Sequence, residues 1–423
     1  MLIPILKADA NSSEVLKLCN RSAGQNIEIE KLVREILLNV REGGLAAAIG
    51  YAKKYDGLAK NNLKISEAQI KSSALKIEPK LKNALKQAIE NVKVFHKRQI
   101  EKQEKSWSFK GKDGEVLGQK IRPLKRVGLY VPGGAGVYPS TLIMNAVPAI
   151  VAGVKELAVV SPAKGGLSSS IAFVLQELGI KEVYHIGGAQ AIGLLAYGAK
   201  GIAPVDKIVG PGNVFAAFAK KEVFGIVDID MIAGPSEIAV LADSTANPEW
   251  VAADMLSQAE HGSGFEASVC VTDSLPFAKK LAACIAKQVE ASPKKEILEK
   301  SLSAYGRIFV AKNMRAAVDI VNKIAPEHLE IVAKNQDELE KLIENAGAIF
   351  VGACSAESVG DYFAGPNHVL PTNGTARFAS PLGVYDFVKR TSIIRYTKKA
   401  LQKNGENIAE IAKAVGFYHH AEA

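Results

Sequence analysis

The stretch RVGLYVPGGAG, residues 126–136, decides the fold: a short apolar run leads directly into a glycine-rich loop. The same pattern returns in ELAVVSPAKGG (156–166), EVYHIGGAQAIG (182–193), DKIVGPGN (206–213) and IDMIAGPSE (229–237). Five such units at intervals of roughly 20 to 30 residues predict parallel strands joined by crossover helices. Ligands bind beyond the carboxyl ends of such strands, so these loops are expected to face one crevice.

Downstream, residues 237–381 repeat the alternation, with strand candidates EIAVLAD, ASVCVTD, GRIFVA and GAIFVG separated by helices. Upstream, helical segments are expected near 29–55 and 66–105, and residues 1–25 read as a loosely attached tail. After Pro381 come a strand-like TSIIRYT and a last helix, NIAEIAKAV, which Gly416 should stop.

A chain of 423 residues with 48% hydrophobic and 23% charged content is that of a folded protein with more than one core. No apolar run reaches the roughly 18 to 20 residues needed to span a bilayer. The start MLIPILKADANSSEV lacks the basic region and small-residue cleavage pattern of a signal peptide, so a cytoplasmic location is expected. Four scattered cysteines, Cys19, Cys270, Cys284 and Cys354, show no ligand spacing and suit a reducing compartment. Much of the net charge of +9 lies in amphipathic stretches such as residues 81–105, where lysines fill the face opposite the apolar one. Aromatic interleaving is absent there, so a solvated helix surface explains the charge better than a nucleic-acid patch. His96, in that stretch, is expected to face solvent.

None of the glycine loops is a GxGxxG that opens a helix, and no GxxxxGK[ST] occurs, so neither standard nucleotide fingerprint applies. Yet Gly187-Gly188-Ala189-Gln190 and Gly210-Pro211-Gly212-Asn213 each lie between a strand and a helix, where backbone N–H groups and a helix N-terminus can receive phosphate. A tight structural turn explains any one such loop; several on one sheet edge favour a nucleotide.

In Gln258-Ala259-Glu260-His261-Gly262 an amide and an imidazole lie three residues apart at a helix end, where both can face one divalent cation. A polar helix end is the commoner origin of such a pair, and a metal site needs donors from elsewhere, with Asp361 and His420 the best candidates. Pro326-Glu327-His328 reads as a helix start, with Pro and Glu in the first turn. That reading leaves the histidine unexplained, whereas Glu327 and His328 together offer a base near neutral pH and a second base to activate water.

The ordered set GLYVPGG, IGGAQAIG, VGPGN, IDMIAGPSE, LSQAEHG, APEHLE and GDYFAGPNHVLPT resembles the histidinol dehydrogenase family over roughly residues 120–382. The resemblance implies an α/β fold of two Rossmann-like doubly wound parallel-sheet domains without the GxGxxG fingerprint. It implies a layout with a tail at 1–25, one domain from 26–125 and 237–381, an NAD-binding domain at 126–236 and a C-terminal dimerisation tail at 382–423. It implies oxidation of L-histidinol through the aldehyde to L-histidine, with zinc (one Zn2+ per subunit) and two hydride transfers to NAD. Carried over by motif, Gln258, His261, Asp361 and His420 would hold zinc, Glu327 and His328 would be the catalytic bases, and Tyr130, Gln190 and Asn213 would contact NAD. The substrate would meet Ser236, His328 and His368 together with the metal ligands. The family is a homodimer, so His420 would act in the other subunit's site. A water route agrees with the lack of a convincing thiol.

Three positions depart from the family pattern. Its tail reads Glu-Gly-Leu, two residues and then the zinc histidine, whereas this chain has Val415-Gly416-Phe417-Tyr418-His419-His420. Val415 removes a carboxylate that would meet the substrate's ammonium, and counting from Gly416 selects His420 over His419. Gly262 stands where the family commonly has Asp, which bears on the orientation of His261. Val415 keeps open a rival reading, a catalytically impaired relative that binds zinc or nucleotide; a generic zinc alcohol dehydrogenase is disfavoured by the missing cysteine ligands.

Overall fold

The computed structural model describes residues 2–20, 27–59, 61–133, 136–162 and 166–423. Residues 134–135 and 163–165, in two of the predicted glycine loops, residues 1 and 21–25, in the predicted tail, and residue 26 beside it lie outside the described residues. Two six-stranded sheets organise the chain. One of them carries the predicted strand-loop units: in order it contains Lys64–Ile65, Glu182–His185, Glu156–Ser161, Arg126–Tyr130, Lys207–Val209 and Asp228–Ile229. Its pairs are parallel except Lys64–Ile65 with Glu182–His185. The chain leaves Arg126–Tyr130 in one direction and later returns on its other side with Lys207–Val209, so the strand order reverses there. A crevice at that switch point is where an α/β sheet takes its ligand.

The other sheet runs Ile5–Lys7, Arg307–Val310, Ala267–Thr272, Glu237–Ala242, His328–Val332 and Ala348–Val351, parallel throughout. Alternate residues of the strands feed separate cores on the two faces. Ile238 and Val240 pack with Phe277 and Leu281, whereas Ala239 and Leu241 pack with Phe309 and Val318. The first five residues of TSIIRYT fall in Val388–Arg395, which pairs antiparallel with Val116–Pro123, itself paired with Trp107–Lys110. The helix predicted from NIAEIAKAV spans Lys398–Ala414, and Gly416 stops it at φ 83°, with its N–H donating to Lys413 O and that of Phe417 to Ala412 O; a short helix, Tyr418–Glu422, follows. Among the described residues no helix is long and apolar enough to cross a membrane.

Four expectations need correction. Residues 5–7 are not a loose tail: they form the edge strand of a sheet, and Ser13–Cys19 is a helix whose Val15 and Leu18 are buried. The N-terminal helices, grouped above with residues 237–381, pack instead on the 126–236 sheet. Ile27–Asp56 lies against Gly188–Tyr197 and Val214–Val223, and Pro79–Lys102 lies against Pro139–Ala152. The reason is apolar burial: Val33, Leu37 and Val40 share a core with Tyr130, Ile192 and Leu195. Pro326-Glu327-His328 opens the strand His328–Val332 rather than a helix, because Leu329 and Ile331 alternate into a core. Finally, His96 is fully buried, its Nδ1 2.8 Å from Val92 O, rather than solvent-facing.

Candidate active site

The segment 230–236 leaves the carboxyl edge of one sheet and enters the amino edge of the other at Glu237. It thereby joins the predicted cofactor loops to the predicted bases. The cofactor loops are pinned by buried polar groups. Tyr130, at the end of the central strand, accepts a hydrogen bond from Gly188 N at 3.0 Å. Asp56 accepts from Gly187 N at 3.0 Å and from Gln190 Nε2 at 3.1 Å. Gly210, at φ 117°, brings the backbone so close that a Cβ there would lie 2.2 Å from Tyr130 O. Below it, fully buried Lys220 donates to Gly210 O at 3.0 Å and pairs with Asp230, which accepts from Gly210 N at 2.7 Å. Asn213 caps the helix Val214–Val223 by accepting from Ala216 N at 3.1 Å and is exposed at the loop. Tyr130 and Gln190 are thus buried and engaged in holding the loops, while Asn213 faces outward.

At the other sheet, one residue grips both predicted bases. Glu237 N donates to Glu327 Oε2 at 2.9 Å, and Glu237 O lies 2.9 Å from His328 Nδ1. A carbonyl only accepts, so Nδ1 carries the proton and Nε2 is the atom left to exchange one. That Nε2 faces Asp361 Oδ1 at 3.2 Å. Asp361 lies on the short helix Glu357–Tyr362, and its backbone O is held by His368 Nδ1 at 2.9 Å. Loop Thr372-Asn373 braces the entry: Gly234 N donates to Thr372 Oγ1 at 2.6 Å and Asn373 N to Glu237 Oε1 at 2.6 Å.

Burial and charge set the protonation of this group. Burial drives the Glu327 carboxyl up to about 8 against the pull of His328. Burial alone would strip the proton from His328, but the carboxylates of Glu327 and Asp361 outweigh it and lift the imidazole to about 10. Asp361 is likewise pushed up by burial, yet its hydrogen bond and charge interaction with His328 hold it well below the usual carboxylate range. Glu357, buried and facing Asp361, is raised to about 8. In the metal-free molecule these interactions favour the charged forms of His328 and Asp361 and the neutral forms of Glu327 and Glu357.

The predicted metal donors divide. Gln258 is completely buried at the end of helix Pro248–Ala259, and neither amide atom has a hydrogen-bond partner. An orphaned buried amide is costly, and a cation at its oxygen would satisfy that atom. His261 Nδ1 lies 2.8 Å from Ser236 Oγ, which leaves Nε2 for a ligand, and Asp361 is among the charges acting on its imidazole. Surrounding protein disfavours its imidazolium, as a metal-binding imidazole requires. Gln258, His261 and Asp361 thus have the chemistry of an N/O zinc site. His420 is exposed in the helix Tyr418–Glu422, its ring edge-to-face with Phe417 at 5.1 Å. Among the described residues the tightest grouping of His, Cys, Asp and Glu donors is His328, Glu357 and Asp361, with ligand atoms within 4.8 Å of one another, and His420 is not in it.

A family model described as histidinol dehydrogenase matches residues 19–423. The histidinol dehydrogenase of Bacillus licheniformis is 50% identical over 398 residues, covering 94% of this chain and 92% of that protein. That of Aquifex aeolicus is 47% identical, with 94% and 92% covered. The crystal structure of histidinol dehydrogenase from Elizabethkingia anophelis superposes with a TM-score of 0.90 at 33% identity, over 99% of this chain and 96% of the other. The chain belongs to the histidinol dehydrogenase family. It is an oxidoreductase with the α/β fold that the resemblance implied.

Several residues of this histidinol dehydrogenase family member escaped the motif reading. Glu357 lies four residues before Asp361, and the ESVGD spacing on one helical face was the available signal. Glu237 ends the AGPSE motif, but nothing local announces that its backbone holds both bases. Asp56 lies in a helix remote in sequence from the loop it pins, and Lys220 lies in the helix that follows its loop, where its position resembles that of any lysine in a helix.

Proposed function

We propose that this chain is a zinc- and NAD-dependent histidinol dehydrogenase that converts L-histidinol through L-histidinal to L-histidine, the last steps of histidine biosynthesis, in the cytoplasm. The observation that carries the reading is the paired grip of Glu237 on Glu327 and His328 beside Asp361 and the orphaned Gln258 amide. Gln258, His261, Asp361 and the tail histidine His420 would hold zinc. Tyr130, Gln190 and Asn213 would flank NAD at the switch-point crevice. When bound, zinc supplies a Lewis acid for the substrate oxygen, and NAD supplies the hydride acceptor that a metal of fixed oxidation state cannot be.

The chain's own residues handle the protons. His328, its Nδ1–H fixed on Glu237 O, takes the alcohol proton at Nε2 as the first hydride leaves carbon, giving the aldehyde. Glu327, anchored through one oxygen, takes a proton from water as the water oxygen bonds to the aldehyde carbon. The resulting hydrate anion loses its second hydride from carbon and becomes the carboxylic acid, whose proton passes to His328 once that residue has released the first one to solvent. One alcohol, one water and two NAD thus become one carboxylate, two NADH and three protons. Ser236 and His368 would line the substrate side, and the exposed tail helices, with Ile411, Phe417 and Tyr418 facing outward, would carry His420 to the other subunit of a homodimer.

The test is NADH formed per L-histidinol consumed, with excess NAD and zinc and a chelator-treated control. Two NADH per substrate, lost with chelator and restored by zinc, is the expected result. Zinc uptake without turnover would refute the reading and favour an impaired relative.

A further inference from the structure

Glu357 is buried to 3% exposure although it is a carboxyl residue in the first turn of a six-residue helix. Its contacts run in two directions. Ser257 Oγ lies 2.8 Å from Glu357 Oε2 and 2.7 Å from Asp254 O, so the hydroxyl proton is shared between the two acceptors. One turn further along Glu357's own helix is Asp361, whose carboxylate lies within 4.8 Å of that of Glu357. Ser257 immediately precedes Gln258 on the helix Pro248–Ala259, so the carboxyl of Glu357 spans the two helices that carry the buried metal donors. Its own backbone is fixed in turn, with Glu357 N donating to Glu330 Oε1 at 2.8 Å. A carboxyl is not buried without return, and packing of the two helices alone would be served as well by an apolar residue.

We propose that Glu357 is a positioning residue for zinc: by bridging Ser257 to Asp361 it sets the spacing between the Gln258 amide and the Asp361 carboxylate. The inference rests on the zinc reading above and adds a residue that contacts neither metal nor substrate in that reading. Groups that orient metal ligands typically change metal affinity about 10- to 100-fold when removed. Glutamine at this position keeps an acceptor toward Ser257 and turns an N–H toward Asp361, so it preserves the bridge. Alanine removes both arms.

The experiment measures zinc affinity by chelator competition on metal-free protein for the parent, Glu357→Ala, Glu357→Gln, Ser257→Ala and the Ser257→Ala/Glu357→Ala double variant. Thermal unfolding of each metal-free protein runs alongside. Expected are a loss of about 10- to 100-fold for Glu357→Ala, a change within about threefold for Glu357→Gln, and a double variant no weaker than Glu357→Ala because both changes break one bridge. Parent-like affinity in Glu357→Ala overturns the proposal, as does equal loss in Glu357→Gln. If Glu357→Ala does not fold, Ser257→Ala decides: parent-like affinity there overturns the bridge. A parent protein that takes up no zinc fails differently, since it removes the zinc reading itself.

Discussion

Replacing Lys220 with methionine tests whether the VGPGN loop is held from beneath. Lys220 is 2% exposed, and its partner Asp230 has a fully buried side chain. The substitution keeps the aliphatic stem but deletes a charge and the bond to Gly210 O, leaving the Asp230 carboxylate buried. Breaking a buried pair from one side costs about 3 to 5 kcal/mol. Asp230 would retain backbone donors at 2.7 Å from Gly210 and 2.6 Å from Met231, which places the loss near the lower end, about 3 kcal/mol. Asp230→Leu should cost more, about 5 kcal/mol, since it also strips Gly210 N and Met231 N of their acceptor. The Lys220→Met/Asp230→Leu double variant should lose less than the sum, because the second change removes the stranded charge left by the first. Urea unfolding of metal-free protein reads the stability, and initial rates read KM. The KM for NAD should rise while zinc affinity stays at the parent value, since this loop lies on the opposite sheet from Gln258 and Asp361. A stability loss below about 1 kcal/mol would show that the pair behaves as a solvated one and refute the argument. A full stability loss with unchanged KM for NAD would sever the loop from the cofactor.

Three further outcomes follow from other parts of the site. Gln258→Leu should stabilise the metal-free protein by about 1 to 3 kcal/mol, by removing an unsatisfied buried amide, while weakening zinc binding; a destabilised metal-free variant in urea would contradict the orphaned amide. Burial and the neighbouring Asp254 raise the Glu330 carboxyl to about 9, so the folded state binds a proton that the unfolded chain has already lost. Its stabilising effect is complete below the ordinary glutamate value and is lost as pH rises toward that folded value; Glu330→Gln should therefore flatten the fall in metal-free Tm between about pH 5 and pH 9, and an unaltered slope would show that other groups set it. Val415 is 61% exposed, so Val415→Glu should move stability by no more than about 0.5 kcal/mol. The same change should lower the KM for histidinol by restoring an anionic partner for its ammonium, an interaction of about 1.5 to 3 kcal/mol, and an unchanged or raised KM would count against that role.

The parts of this protein that were legible in its sequence are those with local periodicity. The strand-loop units from Arg126 to Asn213 announce themselves because apolar runs end in glycines that the backbone needs at the crevice, as at Gly210. The motifs around Gln258, Glu327 and Asp361 were legible as chemistry but not as geometry. The strand His328–Val332 passed for a helix start because Pro326 and Glu327 suit a first helical turn, and its polar His328 and Glu330 are buried alongside Leu329 and Ile331, so no polar-out alternation marks it as a strand. The edge strand Ile5–Lys7 has only three residues, and its partner Arg307–Val310 is some 300 positions away, so no window along the chain contains both. Amphipathic spacing told that the helices from Ile27 to Lys102 bury one face, but periodicity carries no label for what covers it.

The same limit explains why the groups that hold the site were invisible while the groups that would react were not. Reactive residues are rare types in memorable spacings; Glu237, Lys220 and Asp56 act through contacts whose partners lie on other elements. Glu237 does so with its backbone, which any residue carries, so no side-chain pattern could have marked it. Its side chain still matters, because Glu237 Oε1 accepts from Asn373 N and so ties the residue whose backbone grips both bases to the loop that braces Gly234. Positioning in this molecule is therefore distributed across loops that close only in three dimensions. Reading the chemistry from the chain and the support from the fold is the division that the physics imposes.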